Sequence, residues 1–291
     1  TTSSNCVFAD NLALTNGGGV AGGSWIWSQF TGNRAGLNGG GGYNCSIANS
    51  TITENSALTG GGVYFGALSQ CLLYRNRAQT GGAIYNSANY PVRSSTVVDN
   101  TATNVAGGVF SSSGTMLVNS IVFFNSAPTN SNHSGTFAAT FNCLTPILSG
   151  TGNTNADPRL IDIAGGNFRL QTNSPCINAG GGDSPGTFDR DRRPRLVGRI
   201  DIGAFEFQGP GTGEFIHWLV QHGLPSNGSA DLSDPDADGM NNQQEWIAGT
   251  NPTDSFSLLK LLVPIPNPLG TELKWSSVAG KSYSIERSEE L

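Results

Sequence analysis

The sequence predicts an all-β fold, a right-handed parallel β-helix (solenoid), followed by a short helix–calcium loop–helix and a partial β-sandwich-like C-terminal module. Three observations carry the solenoid. A pattern of Asn-x-Ala recurs at Asn11, Asn33, Asn55, Asn76, Asn100 and Asn125, in steps of 22, 22, 21, 24 and 25 residues. Apolar and small side chains recur in phase with it. Gly runs follow five of the six Asn residues. A period near 22 is long enough for one turn of a parallel solenoid and too short for a βαβ unit, which needs roughly 30 residues.

Each position in the repeat has a physical role. Three residues before each Asn stands an apolar side chain: Phe8, Phe30, Ile52, Leu73, Val97, Val122. Five residues before it stands a small one: Cys6, Ser28, Ser50, Cys71, Ser95, Ser120. Positions two apart share one face of a strand, so both columns point inward together. Stacked Asn side chains can hydrogen-bond from coil to coil, and Asn tolerates the left-handed backbone of a sharp corner. Gly17–Gly19, Gly39–Gly42, Gly60–Gly62, Gly81–Gly82 and Gly107–Gly108 mark further corners. Helical repeats are disfavoured, because Gly runs and Thr/Val/Ser-rich stretches oppose helix.

The motifs Asn-Ser-Thr-Ile-Thr-Glu-Asn-Ser-Ala at 49–57 and Gly-Gly-Ala-Ile-Tyr at 81–85 resemble bacterial surface proteins with polymorphic outer-membrane protein-type repeats, within the wider pectate-lyase-like fold. The resemblance covers roughly residues 1–207 and implies the right hand, a secreted or cell-surface location and an adhesive or structural role. Residues 153–207 break the period. Asn155-Ala-Asp-Pro158, Ser174-Pro-Cys-Ile-Asn-Ala-Gly180 and Asp201-Ile-Gly-Ala-Phe-Glu206 resemble the segment that closes such helices, so 153–207 is expected to cap the apolar end of the last coil. The charged group Asp189, Arg190, Asp191, Arg192, Arg193, Arg195, Arg199 and Asp201 reads as ion pairs within that cap, with a sugar-acid site as the competing reading.

Gly-rich residues 208–213 read as a linker. Residues 214–254 are expected to form the helix–calcium loop–helix, and 255–291 the partial β-sandwich-like module. Over 214–223, Phe215, Ile216, Leu219 and Val220 form one apolar helical face, and Gly223-Leu-Pro225 stops the helix. The stretch from Asp234 to Glu245 matches the twelve-residue D-x-D-x-D-G-x5-E calcium loop. Calcium prefers several hard oxygens at about 2.4 Å. Asp234, Asp236 and Asp238 would supply carboxylates, Met240 its carbonyl, Asn242 a side chain or a water contact, and Glu245 both carboxylate oxygens. Gly239 makes the sharp turn. The exiting helix is expected to end at Ala248 with Gly249 as its cap. A single loop resembles dockerin-type or thrombospondin-type calcium repeats, which implies a rigidified joint with Ca2+ as a folding ligand. Beyond it, 258–263, 273–275 and 283–286 read as strands. They resemble the opening of a small β-sandwich that the protein's continuation or another chain completes.

Charge and chemistry narrow the function. The chain of 291 residues holds 40 Gly, only 12% charged residues and a net charge of -6. No basic stripe is present to neutralise phosphates, which argues against nucleic acid, and no apolar run reaches the roughly 18 residues of a membrane span. The chain opens without Met, as a processed protein or a fragment would. Five Cys rule out a fully paired disulfide framework; Cys143 with Cys176 is the one pair worth considering. His133, in the polar run Asn130-Ser-Asn-His-Ser134, reads as exposed. Tyr43, Tyr64, Tyr85 and Phe110 follow their ladder Asn by 9 or 10 residues, with parity opposite to Val63, Ile84 and Val109. They should therefore form an outward aromatic stripe that docks a surface glycan or another copy of the chain; simple covering of the wall is an equal alternative. A polysaccharide lyase or glycoside hydrolase is the alternative function. Its only carboxylates on the repeats, beside Asp10, are Glu54 and Asp99, two coils and about 10 Å apart.

Overall fold

The computed structural model describes residues 2–182, 186–193, 195, 199–207, 212–225, 230, 233–261, 265–267, 270–272, 274–276 and 278. The chain divides into two compact units, Thr1–Gln208 and Gly209–Leu291.

The first unit is a parallel β-solenoid of about six turns. One sheet stacks Thr2–Ser4, Ser24–Ile26, Gly42–Ala48, Val63–Ser69, Ile84–Asn86 with Val92–Arg93, Val109–Val118 and His133–Thr140. A second stacks Val7–Ala9, Gln29–Thr31, Thr51–Thr53, Leu72–Tyr74, Thr96–Val98, Ile121–Phe123 and Cys143–Leu144. A third, shorter wall joins Leu12–Ala13 to Arg34–Ala35 and Arg77–Thr80 to Thr101–Val105, with single bridges through Ser56. The expected apolar column is in register throughout: Phe8, Phe30, Ile52, Leu73, Val97 and Val122 pair in turn, and Leu144 adds a seventh member. Together with Ile47, Val63, Leu68, Ile84, Val92, Val109 and Leu117 these side chains fill the bore.

Two hydrogen-bonded ladders accompany that core. From Asn33 onward, each ladder Asn accepts, at Oδ1, both the backbone N–H and the Nδ2 of the preceding ladder Asn. Asn55 donates to Asn76 at 3.1 and 3.0 Å, and Asn76 to Asn100 at 3.0 and 2.9 Å. The second Nδ2 hydrogen goes to a backbone carbonyl inside the bore, such as Ile52 for Asn76. Asn132 extends the ladder beyond Asn125. The small column is itself a ladder: the N–H of Ser28 donates to Ser50 Oγ, and those of Cys71 and Ser95 donate to Ser95 and Ser120 Oγ. Asn142 occupies this position after Ser120.

The left-handed corner is not at the ladder Asn. It falls one residue earlier, at Asp10, Gly32, Glu54, Arg75, Asp99 and Phe124, all with φ between 53° and 67°. The preceding residue turns the chain, which leaves the Asn side chain free to point inward and stack. The Gly runs answer two needs. Gly60 has a φ of +60°, whereas a Cβ on Gly61 would run into the Arg77 and Gly82 carbonyls of the next coil.

From residue 160 on, the described residues of the segment expected as an end cap (153–207) take another place. They lie along the outer face of the second sheet. Leu160, Phe168, Leu170, Cys176, Ile177, Ile202, Ala204 and Phe205 pack on Leu72, Val98, Ile121 and Cys143 to form a second core. This strap reaches the first coils, where Arg192 donates to Asn5 Oδ1 at 2.6 Å and covers Trp27. It also reaches the late coils, where Asn119 and Gly181 exchange hydrogen bonds of 2.7 and 2.8 Å. The reason is the outward apolar row Leu72, Val98, Ile121, which water would otherwise wet. At the end of the bore Leu148 packs on the core, and Asn153, the first residue of the expected cap, accepts at Oδ1 from Asn142.

In the second unit, helix α1 spans Thr212–Gln221 and helix α2 spans Asn242–Ala248. Phe215 and Leu219 are buried with Ala230, against Trp218, Leu224 and Trp246. Val220, expected on the same face, is exposed, and the Ile216 side chain lies outside the described residues. Of the C-terminal module, Ile265–Asn267 pairs antiparallel with Gly270–Glu272, and Leu261 bridges Trp275. The expected strand at 283–286 lies outside the described residues.

Candidate calcium site and outward aromatic wall

Capping places the acidic loop. Asn241 caps α2, accepting from the Gln244 N–H at 3.0 Å, while Gln244 Oε1 accepts from the Asn241 N–H at 2.9 Å. This capping box fixes where the helix starts, and Gly249, at φ 81°, ends it at the expected place. Glu245 is thereby carried on the first turn of α2, facing back toward the loop.

Carboxylate oxygens of Asp234, Asp236 and Asp238 lie within 4.8 Å of one another. The Asp234 carboxylate accepts from the N–H groups of Asp238 and Gly239, at 3.2 and 2.9 Å, so the loop curls around it. Gly239 takes a φ of +97°, as the sharp turn requires. Asn242 and Glu245 are fully buried. The Asn242 amide donates to the Ala230 carbonyl and Ser233 Oγ, which turns its Oδ1 the other way. That Oδ1, Glu245 Oε2, Asp236 Oδ2 and Asp238 Oδ2 are buried oxygens without a hydrogen-bond partner. Buried acceptors normally have partners. Four orphaned oxygens on the ligand positions of a calcium loop are what a hard cation would satisfy, so the residues present fit calcium. Burial, with Asp236 and Asp238 beside it, pushes the Glu245 carboxyl up to about 7. The expected role of Met240 is through its carbonyl; its N–H is bound to Asp238 Oδ1 at 2.7 Å.

On the solenoid, the four expected rings form one outward column. Tyr43, Tyr64, Tyr85 and Phe110 are half-buried, in register, and stacked at centroid distances of 5.5, 4.9 and 4.9 Å. Val63, Ile84 and Val109 point inward and are fully buried. Sequence parity missed two further rings. Phe65, with φ 54°, breaks the alternation, so it turns out beside Tyr64 at 4.3 Å and stacks on Tyr90 at 5.2 Å. The column rings cover one another's faces, so the wall presents ring edges and phenol hydroxyls. Tyr64 is held above the usual phenol range by burial and by its neighbours Tyr85 and Tyr43.

Other expected groups take different places. Glu54 and Asp99 share one corner column with Arg75 between them, and Arg75 binds Asp99 at 3.2 Å, so the two carboxylates do not face each other as an acid–base pair. His133 is buried rather than exposed. Its Nε2 lies 2.8 Å from the Pro146 carbonyl, its ring packs on Phe137, and burial lowers its pKa. Of the charged group in the strap, Asp189, Arg195 and Asp201 are buried, and Glu206 joins them. Arg195 lies 3.5 Å from Glu206 and donates to the Asp201 and Gly203 carbonyls. Asp189 accepts from the N–H groups of Asp191, Arg193 and Glu206. The knot is structural, but among the described residues the named group pairs outward, Arg195 with Glu206 and Asp191 with Arg169, while Asp189 and Asp201 are held by backbone N–H groups. Burial pushes Asp201 up to about 7 and Glu206 up to about 9. Cys143 and Cys176 are free but adjacent, and the Cys143 thiol with burial holds Cys176 well above the usual thiol range.

No known protein family, curated protein or solved structure matches this chain. What is shown is the fold, a parallel β-solenoid followed by a second unit in which two short helices flank an acidic loop.

Proposed function

We propose that the chain is a structural and adhesive protein of the cell exterior. Its solenoid displays a side wall that binds a surface glycan or a second copy of the chain, and its second unit folds around one structural Ca2+. The observation that carries the adhesive reading is the outward wall of six rings. Such an apolar, hydroxyl-tipped surface costs solvation unless a partner covers it. An exterior location would supply the calcium concentrations at which extracellular modules with such loops bind. The repeats, by contrast, hold no facing carboxylate pair among the described residues, and this weighs against hydrolysis. The test is a glycan array probed with the chain and with a Tyr64→Ala/Tyr85→Ala variant, alongside sedimentation of both. Loss of a glycan signal or of self-association in the variant supports the reading. Full retention of both, or no binding of either kind, sinks it.

A further inference from the structure

The third wall of the solenoid holds a cleft of about 410 Å³, and its lining includes Arg34, Gly36, Ser56, Leu58, Arg77 and Gln79. Arg34, Ser56 and Arg77 form one stacked column, each bridged to the next across successive coils. Two strand spacings set the Arg backbones about 10 Å apart. Both Arg residues are exposed, and the shorter, half-buried Ser56 lies between them as a floor. Among the described residues neither Arg is in an ion pair; the ion pairs formed are Arg75–Asp99, Arg169–Asp191 and Arg195–Glu206. Two free guanidinium groups on one column are unexpected on repeats that carry seven charged side chains in 150 residues.

We infer that this cleft is a binding site for a sulfated glycan, with sulfate groups on alternate sugars engaging Arg34 and Arg77. The inference rests on the reading of the solenoid as a glycan-binding surface, but it uses a wall other than the aromatic one. Guanidinium groups hold oxyanions through paired N–H donors. The cleft adds donors rather than acids: the Ser56 hydroxyl, the Gln79 amide and the Thr103 hydroxyl also line it. A tetrahedral sulfate, with three oxygens to satisfy, uses more of these donors than a planar carboxylate. Leu58 and Gly36 offer apolar floor to the carbon face of a sugar. Nucleic acid fits poorly, because its duplex carries a charge every 1.7 Å or so of axis against two cations about 10 Å apart.

The experiment is a binding titration of the whole chain with a sulfated glycosaminoglycan oligosaccharide, its desulfated form, a carboxylated oligosaccharide and inorganic sulfate. It is repeated with Arg34→Gln, Arg77→Gln, the double variant, and Arg93→Gln on the first sheet. Both target side chains are exposed and make no internal contact that the fold needs, so the variants keep the wild-type far-UV signal. The expected result is binding of the sulfated oligosaccharide that weakens tenfold or more with each target variant, falls with salt, and is unchanged by Arg93→Gln. Equal binding of the desulfated form, stronger binding of the carboxylated form, binding of inorganic sulfate alone, or indifference to the double variant overturns it. A neutral glycan bound through Tyr64 and Tyr85 with no sulfated ligand at Arg34 and Arg77 would remove this inference and leave the aromatic wall standing.

Discussion

Replacing Asn76 with Ala removes one rung from the middle of the Asn ladder. Asn76 is fully buried, and its Oδ1 accepts from both the N–H and the Nδ2 of Asn55. Without it, the Asn55 N–H and one Nδ2 hydrogen are left unpaired where water has no access. Each such orphan costs about 1–3 kcal/mol. The Ile52 carbonyl loses a donor as well. The expected loss is about 3–4 kcal/mol, which for a unit of this size lowers the melting temperature by about 10 °C. Asn11→Ala is the matched control. Asn11 is exposed at the first coil, and its side chain donates once, to Asn33 Oδ1 at 2.8 Å. Water replaces that bond, so the cost should stay below about 0.5 kcal/mol. Urea unfolding of both variants, followed by far-UV circular dichroism, reads the difference. If Asn76→Ala falls within about 1 kcal/mol of Asn11→Ala, the ladder is decoration and the argument fails.

Three further outcomes are expected. Gly61→Ala should destabilise the solenoid by more than the same change at exposed Gly166, because at Gly61 backbone carbonyls of the next coil must move, whereas at Gly166 the added Cβ meets no atom and costs only the strain of a left-handed backbone at φ +79°; paired melting curves check this. The solenoid should lose stability as pH rises from about 4.5 toward 9. The fold keeps protons on Asp201 and Glu206, raised to about 7 and about 9, after the unfolded chain has released them. Glu206→Gln, which has no proton to release, should flatten the curve. Calcium affinity should climb with pH up to about 7, because the cation must displace the proton that burial and Asp236 hold on Glu245; titrations at pH 5.5 and 7.5 would show it.

Much of this was legible from the repeat. Phe8 to Val122, the six ladder Asn residues and the outward Tyr43–Phe110 column all follow from counting periods, because a solenoid places each repeated position on its own copy. What escaped lies where the period fails or where chemistry hides in small residues. Asn132 completes the ladder only seven residues after Asn125, out of phase with every earlier step. Phe65 turns outward at a left-handed residue that no alternation rule anticipates. The Ser column reads as small, yet each Oγ caps a backbone N–H of the neighbouring coil. The strap could not be placed, since its partner is an outer apolar row spread over Leu72, Val98 and Ile121, whose spacing gives no local signal. The acidic loop was the reverse case. Its motif singled out Asp234 to Glu245 for a proposed calcium site, and the structure added the orphaned oxygens of Asn242 and Glu245, which sequence alone does not reveal.

Calorimetric titration of the chelator-treated chain with calcium, beside its Glu245→Gln variant and with melting of the second unit followed in parallel, tests the site most directly. The account predicts one calcium bound per chain, a rise in the melting temperature of the second unit on binding, and at least tenfold weaker binding in the variant. No heat of binding and no melting shift at millimolar calcium would contradict it.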